Sequence, residues 1–553
     1  MIRSLACRWL VLSLMAVGCT RLLIAAETRP NFVLCMADDQ GWGDVAYNGH
    51  PTIQTPNLDA MAGGALRMDH FYAAAPVCSP TRGSVMTGRH PNRFGCFKWG
   101  YTLRPEEVTI AEALREAGYT TGHFGKWHLG SVRASSPVSP GQSGFDQWLS
   151  SPNFYENDAM MSRNGKAVQT QGESSRVAMD AAIEFIRDAA RREQPFLAVV
   201  WFGSPHLPHI ASEEIRKRYP NERPALQNYL GEITGIDLAM GQLRDELRQL
   251  GLADNTLVWY TSDNGAQGVG STGGLRGKKG SVWEGGLRVP AILEWPAKIR
   301  EHRVSDLPAS TVDIYPTLVA LAGAKVEGQP EPLDGMSLVP LIEGSLSERT
   351  KPLGFWDYPA PGQPVRSSQL LAELAKEQAS DAESEATLPE SAKYEKQYPL
   401  DSFPGHAAWR DGRFKLHRIA GNKGQQPRFE LYDLVADREE SRDLAADQPE
   451  RVATMSRALE AWQQSVVRSL NGEDETIVPR LPGAEQSSTC SVSINEPSPL
   501  RLGASLRYDP RHGMPQGRYA SNTLCGSSER GRGRGRDRAL GAGTRPRTAG
   551  LRL

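Results

Sequence analysis

Through about the first 350 residues, short β-rich apolar runs alternate with longer segments in which apolar residues recur every three or four positions. NFVLCMA (31–37), YTTGHFG (119–125), PFLAVVWFG (195–203) and NTLVWYTS (255–262) are rich in branched and aromatic residues and read as strands. LDAMAGGALRM (58–68), IAEALREAGY (110–119), SRVAMDAAIEFIRDAARR (175–192) and YLGEITGIDLAMGQLRDELRQLG (229–251) carry helical spacing. The alternation predicts an α/β domain over 27–350, with a large, mostly parallel central sheet flanked by helices.

From about Gly354 the pattern changes. LGFWDYPAPGQPVRSS leads into an Ala- and Glu-rich stretch, 365–398, that reads as a surface helix or insertion. AAWRDGRFKLHRI (407–419) and RFELYDLVADREE (428–440) suggest strands joined by turns, and PERVATMSRALEAWQQSVVRSL (449–470) a closing helix. Residues 351–483 are therefore expected to form a smaller α+β subdomain with an antiparallel sheet.

Each strand of the larger domain gives way to polar residues: Asp38 and Asp39 after the first, Lys126 and His128 after the second, His206 after the third, Asp263 and Asn264 after the fourth. Ligands of open α/β sheets bind outside the carboxyl ends of strands. Each short motif has an ordinary reading as a turn, a cap or a packing residue; their shared position points instead to one rim.

The chain of 553 residues, 39% hydrophobic, is long enough to bury a large core. Its net charge of −1 excludes a uniformly basic nucleic-acid binder, yet residues 501–553 hold twelve Arg and three acids, about +9 against −10 elsewhere. That tail, 484–553, is Arg/Gly-rich and low in complexity, and reads as a disordered, solvated or anion-binding segment rather than an RNA contact. The start, MIRSLACRWLVLSLMAVGCTRLLIAAE, has the arginines, apolar run and small residues of a signal peptide ending near Ala26. A membrane span is the alternative, but Arg8 and Arg21 leave an apolar run well short of the ~20 residues a bilayer requires. The expected location is periplasmic or extracellular, with no stable membrane insertion; oligomeric state is not legible.

Cleavage would leave Cys35, Cys78, Cys96, Cys490 and Cys525, an odd set that is not a disulfide framework. Cys35 lies in an apolar strand and reads as a core thiol. Cys78 has two readings on counting alone, a disulfide with Cys96 or a functional residue.

Asp38, Asp39, Asp263 and Asn264 offer hard oxygen donors, which suit Ca²⁺ or Mg²⁺ better than Zn²⁺ or copper. Arg82, Lys126, His128, His206 and Lys279 add cationic or donor groups fit for a sulfate or phosphate ester.

Cys78-Ser-Pro-Thr-Arg82-Gly resembles the C-x-P-x-R signature of the type I sulfatases, in which the cysteine is oxidised to formylglycine. NFVLCMADDQGWGD, GKWHLG, SPHLPH, TSDNG and LRGKKGSVWEGGLRVP occur in that family's order over 31 to about 350, and HAAWRDGRFKLHR and ELYDLVAD are similar to its C-terminal subdomain. The resemblance implies an alkaline-phosphatase-like fold, and it makes the Cys78–Cys96 disulfide the minor reading. By the same resemblance the hydrated aldehyde attacks sulfur and then expels sulfate.

It further implies that Asp38, Asp39, Asp263, Asn264 and the residue made from Cys78 hold Ca²⁺, with Asp263 also helping to deprotonate the attacking hydroxyl. Arg82, at the start of a helix suggested by SVMTGRH, would hold the hydrated aldehyde. Lys126 and Lys279 would grip sulfate, Lys279 being preferred to Lys278 by its distance to Glu284-Gly285-Gly286. His128 would act as base and His206 beside the leaving oxygen, roles the sequence allows to be exchanged; His209 reads as structural. A formylglycine-generating maturation enzyme is an implied partner.

The expected activity is hydrolysis of sulfate monoesters, of a sulfated carbohydrate or an aryl sulfate, with HPNRFGCFKWGY (90–101) offering rings and cations to the substrate. A phosphodiesterase or phosphonate monoester hydrolase of the same superfamily, or a non-catalytic binder of sulfated glycans, are the alternatives.

Overall fold

The computed structural model describes residues 29–380, 396–421 and 425–474. The signal segment 1–26, the tail 484–553 with Cys490 and Cys525, and residues 381–395 of the insertion lie outside the described residues.

Ten strands form the main sheet, in the order 303–305, 66–68, 292–294, 256–262, 31–37, 196–201, 120–126, 147–151, 160–163, 166–169. The five strands from Thr256–Ser262 to Gln147–Ser151 run parallel, and antiparallel pairs flank them on both sides. The four apolar runs are buried along their whole strand length because both faces are covered, as a parallel sheet requires.

Alternation within one strand shows the layering. Phe32, Leu34 and Met36 join a core with Val85 and Met86, Ile110 and Leu114, and Ile314 and Leu318. Val33, Cys35 and Ala37 face the opposite core, built from helices Ser174–Arg191 and Pro224–Gln249 through Met179, Ile183, Ile236 and Met240. Cys35 is thus a core thiol, and burial pushes its pKa up.

A separate antiparallel sheet of four strands, Leu353–Asp357, His406–Asp411, Phe414–Ile419 and Arg428–Asp433, packs against helix Pro449–Leu470. Leu353–Asp357, where the sequence pattern changes, is this sheet's edge strand. Ser367–Ser380 is a helix on the surface of the larger domain, held by the ion pair Arg133–Glu377 and by Ala167 N–H donating to Gln378 Oε1 at 3.0 Å. The helix expected over LDAMAGGALRM ends at Gly64, and Leu66–Met68 turns into the sheet, since two glycines in succession favour a stop.

Candidate active site

Register sets the site. Ala37 pairs with Ser262, and Met36 with Trp201, so the residues just beyond these strands emerge side by side. The ends are tied: Asp38 N–H donates to Ser204 O at 2.9 Å, Asp263 N–H to Ala37 O at 3.1 Å, and Trp127 N–H to Ser151 O at 2.9 Å. Asp39 (φ 72°) and His128 (φ 56°) adopt left-handed backbone, which turns each chain sharply at the rim.

Cys78 is the first residue of a helix, Cys78–Thr87, every residue of which is buried. This corrects the expectation from SVMTGRH: the helix starts six residues earlier, and Arg82 lies within it. Ser-Pro-Thr-Arg-Gly has poor helix propensity, but Pro80 sits in the first turn, where a missing N–H costs nothing. Cys78 and Cys96 are both free thiols, so the disulfide reading is overturned. Burial raises the Cys78 pKa, against the pull of Lys126 and Lys279.

One ligand atom each from Asp38, Cys78 and Asp263 lie within 4.8 Å of one another, and the same holds for Asp38, Asp39 and His206. Lys126 Nζ is 2.6 Å from Asp38 Oδ2 and Lys279 Nζ 2.7 Å from Asp39 Oδ2. Arg82 Nη2 donates to Asp263 Oδ2 at 2.7 Å, while its guanidinium lies 5.1 Å from the Trp201 ring centroid. Asn264 Nδ2 donates to Asp39 Oδ1 at 2.8 Å. These contacts join every residue expected at the rim except His128, which stands two residues beyond Lys126 and within reach of its charge.

Burial opposes ionisation of Asp38, but Lys126, His206 and Arg82 outweigh it and hold the carboxyl below its usual range. Asp263 is pushed up by burial and by Asp38, despite Arg82. Lys279 loses to burial but gains more from Asp39, and stays protonated. His128, buried and surrounded by the charges of Lys126, Arg82 and Lys279, is held well below its usual pKa and is a neutral imidazole.

The donor set fits a hard divalent cation. Asp38 Oδ1 and Asn264 Oδ1 are buried oxygens without a hydrogen-bond partner among the described residues, beside the carboxylates of Asp39 and Asp263. Both nitrogens of His128 are likewise unpartnered.

His206 Nδ1 is 2.6 Å from Leu207 O, which fixes its tautomer and turns Nε2 toward Asp39, 3.7 Å away. Its ring stacks on Phe154 at 4.5 Å. Phe154 lies just past the fifth parallel strand, so the same strand-end logic extended to QWLSS would have found it. Lys278 donates to the carbonyls of Gly268 and Gly270, both at 2.9 Å, and serves the loop, leaving Lys279 for the site. His209 is half-buried against Tyr229, at 4.9 Å between rings. A Cβ on Gly265 would lie 2.0 Å from Gly285 O, and one on Gly286 2.0 Å from Ser281 O, so the loops bearing Asn264 and Lys279 close only on glycine.

HPNRFGCFKWGY does not present itself as expected. His90 to Phe97 are buried, and Arg93 pairs with Asp334 at 2.7 Å; packing under the smaller sheet consumes these rings and cations. Trp99 remains 39% exposed.

A family model described as Sulfatase matches residues 30–324. N-acetylgalactosamine-6-sulfatase of Mus musculus is 33% identical over 394 residues, covering 62% of this chain and 72% of the relative. Arylsulfatase A of Homo sapiens is 34% identical over 380 residues, covering 61% and 72%. Among solved structures, Ps i-CgsB in complex with k-i-k-neocarrahexaose has a TM-score of 0.65 at 24% identity, over 80% of this chain and 98% of that one, a likeness of fold. With the matched residues spanning more than half its length and the rim assembled from them, the chain belongs to the type I sulfatases, sulfuric ester hydrolases of the alkaline phosphatase superfamily.

Proposed function

We propose that this chain is an exported sulfatase that hydrolyses the sulfate monoester of a carbohydrate, using a formylglycine made from Cys78 and a bound Ca²⁺. The observation that carries the reading is the free thiol of Cys78, 1% exposed, at the head of a buried helix and within 4.8 Å of two carboxylates. A structural cysteine has no need of such a charged setting.

Asp38, Asp39, Asp263, Asn264 and residue 78 would hold the cation. Formylglycine, once installed and hydrated, supplies the attacking hydroxyl, and Ca²⁺ supplies positive charge beside it. Arg82 orients residue 78 through its hold on Asp263. Asp263 would help to take the proton of the attacking hydroxyl. Lys126 and Lys279 exchange their carboxylate contacts for sulfate oxygens, and His206 with Lys279 stabilises the leaving oxygen. His128, neutral and without a hydrogen-bond partner among the described residues, accepts the proton whose removal releases sulfate.

Residues 27–350 would form the catalytic domain and 351–483 the supporting subdomain. No helix among the described residues is long and apolar enough to cross a membrane, which is compatible with export of the chain by its signal segment. The preference for a sugar comes from the name of the N-acetylgalactosamine-6-sulfatase relative.

The test is mass spectrometry of the peptide spanning Cys78 in protein from its own host. A deficit of about 18 Da, trapped by an aldehyde reagent, is the expected result. An unmodified thiol in protein that still releases sulfate would overturn the formylglycine reading.

A further inference from the structure

A cleft of about 710 Å³ adjoins the rim, between residues 151–160 and 365–372. Sulfate alone fills a small fraction of such a space, which lies in the upper part of the ~300–1,000 Å³ range of small-molecule pockets. Both walls are anchored on the active site. The first begins at Ser151, in register with Lys126, and carries Phe154, whose ring stacks on His206. The second is reached from Cys78 by two steps: Gly100 N–H donates to Ser79 Oγ at 2.9 Å, and Gln363 N–H to Trp99 O at 2.9 Å, three residues before Arg366.

The chemistry of the walls is that of a sugar site. Phe154 offers a ring face, and Trp99, exposed and packed on Gly362 at the approach to the second wall, another. Tyr155 Oη and Ser367 Oγ are buried, so the polar groups that the walls offer a ligand are those of Glu156, Arg366 and Ser368. Glu156 and Arg366 stand on opposite walls, and neither makes an ion pair or side-chain hydrogen bond among the described residues. A uniformly anionic ligand would be repelled by Glu156. The pair suits a ligand with hydroxyls toward the carboxylate and one anionic group toward the guanidinium.

We propose that this cleft holds the sugar units flanking the sulfated one, in an oligosaccharide with a second sulfate or carboxylate bound by Arg366. The inference rests on the sulfatase reading above and names the substrate's length and second charge.

Binding separates it from catalysis. Calcium-loaded Cys78→Ala protein, which lacks any nucleophile at residue 78, is titrated by calorimetry with hexasaccharides of carrageenan and of chondroitin sulfate and with the corresponding monosaccharide sulfates. At least one hexasaccharide is expected to bind about tenfold or more tightly than its monosaccharide, and Arg366→Gln to remove most of that gain. Arg366 is exposed, so the variant folds. Equal affinities for chain and monosaccharide, or an equal loss of both in Arg366→Gln, would overturn the proposal. Hydrolysis of an aryl sulfate by the matured wild type reports on the parent reading: without it that reading and this one fail together, whereas activity without a chain-length preference removes the cleft alone.

Discussion

The rim and a second buried cluster of charge are finished differently. Where the main domain meets the smaller sheet, Glu284 accepts from Lys415 Nζ at 2.9 Å and from Tyr72 Oη at 2.8 Å. Glu440 lies 3.1 Å from the same lysine, accepts the Glu284 N–H at 2.7 Å and pairs with His417 Nε2 at 2.6 Å. At the edge of this seam Arg288 and Arg410 keep N–H groups without partners among the described residues, but its carboxylates are satisfied on every oxygen. The rim is as deeply buried and has its ion pairs too, yet Asp38 Oδ1, Asn264 Oδ1 and both nitrogens of His128 are left over. Buried polar groups without partners are costly, and oxygens left over on adjoining carboxylate and amide side chains are of the kind a hard cation completes. The acids of the seam are all paired within the fold, whereas the rim keeps oxygens that no described residue satisfies.

Substitutions can break this contrast. Cys78→Ala is expected to lower sulfate release by more than about 10⁴-fold with an unchanged thermal midpoint, since nucleophile loss removes turnover without removing an ion pair. Residual turnover near wild type would end the assignment of Cys78. Next in size, Asp263→Ala leaves Arg82 buried without its best partner, and about 3–5 kcal/mol of stability should go together with bound calcium. Elemental analysis showing the metal retained would remove Asp263 from the ligand set.

Lys415→Met sharpens the comparison from the other side. It leaves Glu284 and Glu440 facing one another and should cost about 3 kcal/mol in denaturant unfolding, with kcat/KM of the folded protein within about twofold. A selective loss of kcat would mean that the seam takes part in the chemistry.

The smallest effect for any one group, taken per pH unit, is in pH. Burial, with Arg288 and Arg410 nearby, holds His70 at about 2; burial and Arg93 outweigh Asp334 to hold His90 at about 3; burial, His417, Lys415 and Arg276 outweigh Glu440 to hold His406 at about 3. All three lie below the unfolded value of about 6.5, so the unfolded chain binds more protons between about pH 6.5 and 3. Their stabilisation is complete above about pH 6.5 and falls as pH is lowered, by at most about 1.4 kcal/mol per histidine per pH unit. Denaturant midpoints unchanged from about pH 7 to pH 5 would contradict this.

Much of the rim was legible because strands covered on both faces are largely apolar, so the first charged residues after NFVLCMA or NTLVWYTS mark the sheet's edge. Local pattern could not reveal the helix at Cys78, whose Ser-Pro-Thr-Arg-Gly is a poor helix sequence held by burial on all sides. Lys279 was told from Lys278 only by the family resemblance; what separates them physically is the direction each side chain takes from a glycine-rich loop. The fate of HPNRFG depended on Asp334 and the helix Pro449–Leu470, more than 200 residues distant in sequence, and no local window contains them.

The pairing of Asn31–Ala37 with Thr256–Ser262 also has a kinetic meaning. The first strand is synthesised more than 200 residues before a neighbour that completes it, and closure of so long a loop is slow. Until then its free edge can recruit the wrong strand, from this chain or another. Asp38 and Asp263 meet only when that closure is made, so a chain released before residue 256 carries Cys78 but no complete centre. Enzymatic turnover is in this sense a late reporter of folding, silent for every intermediate in which the sheet is still open.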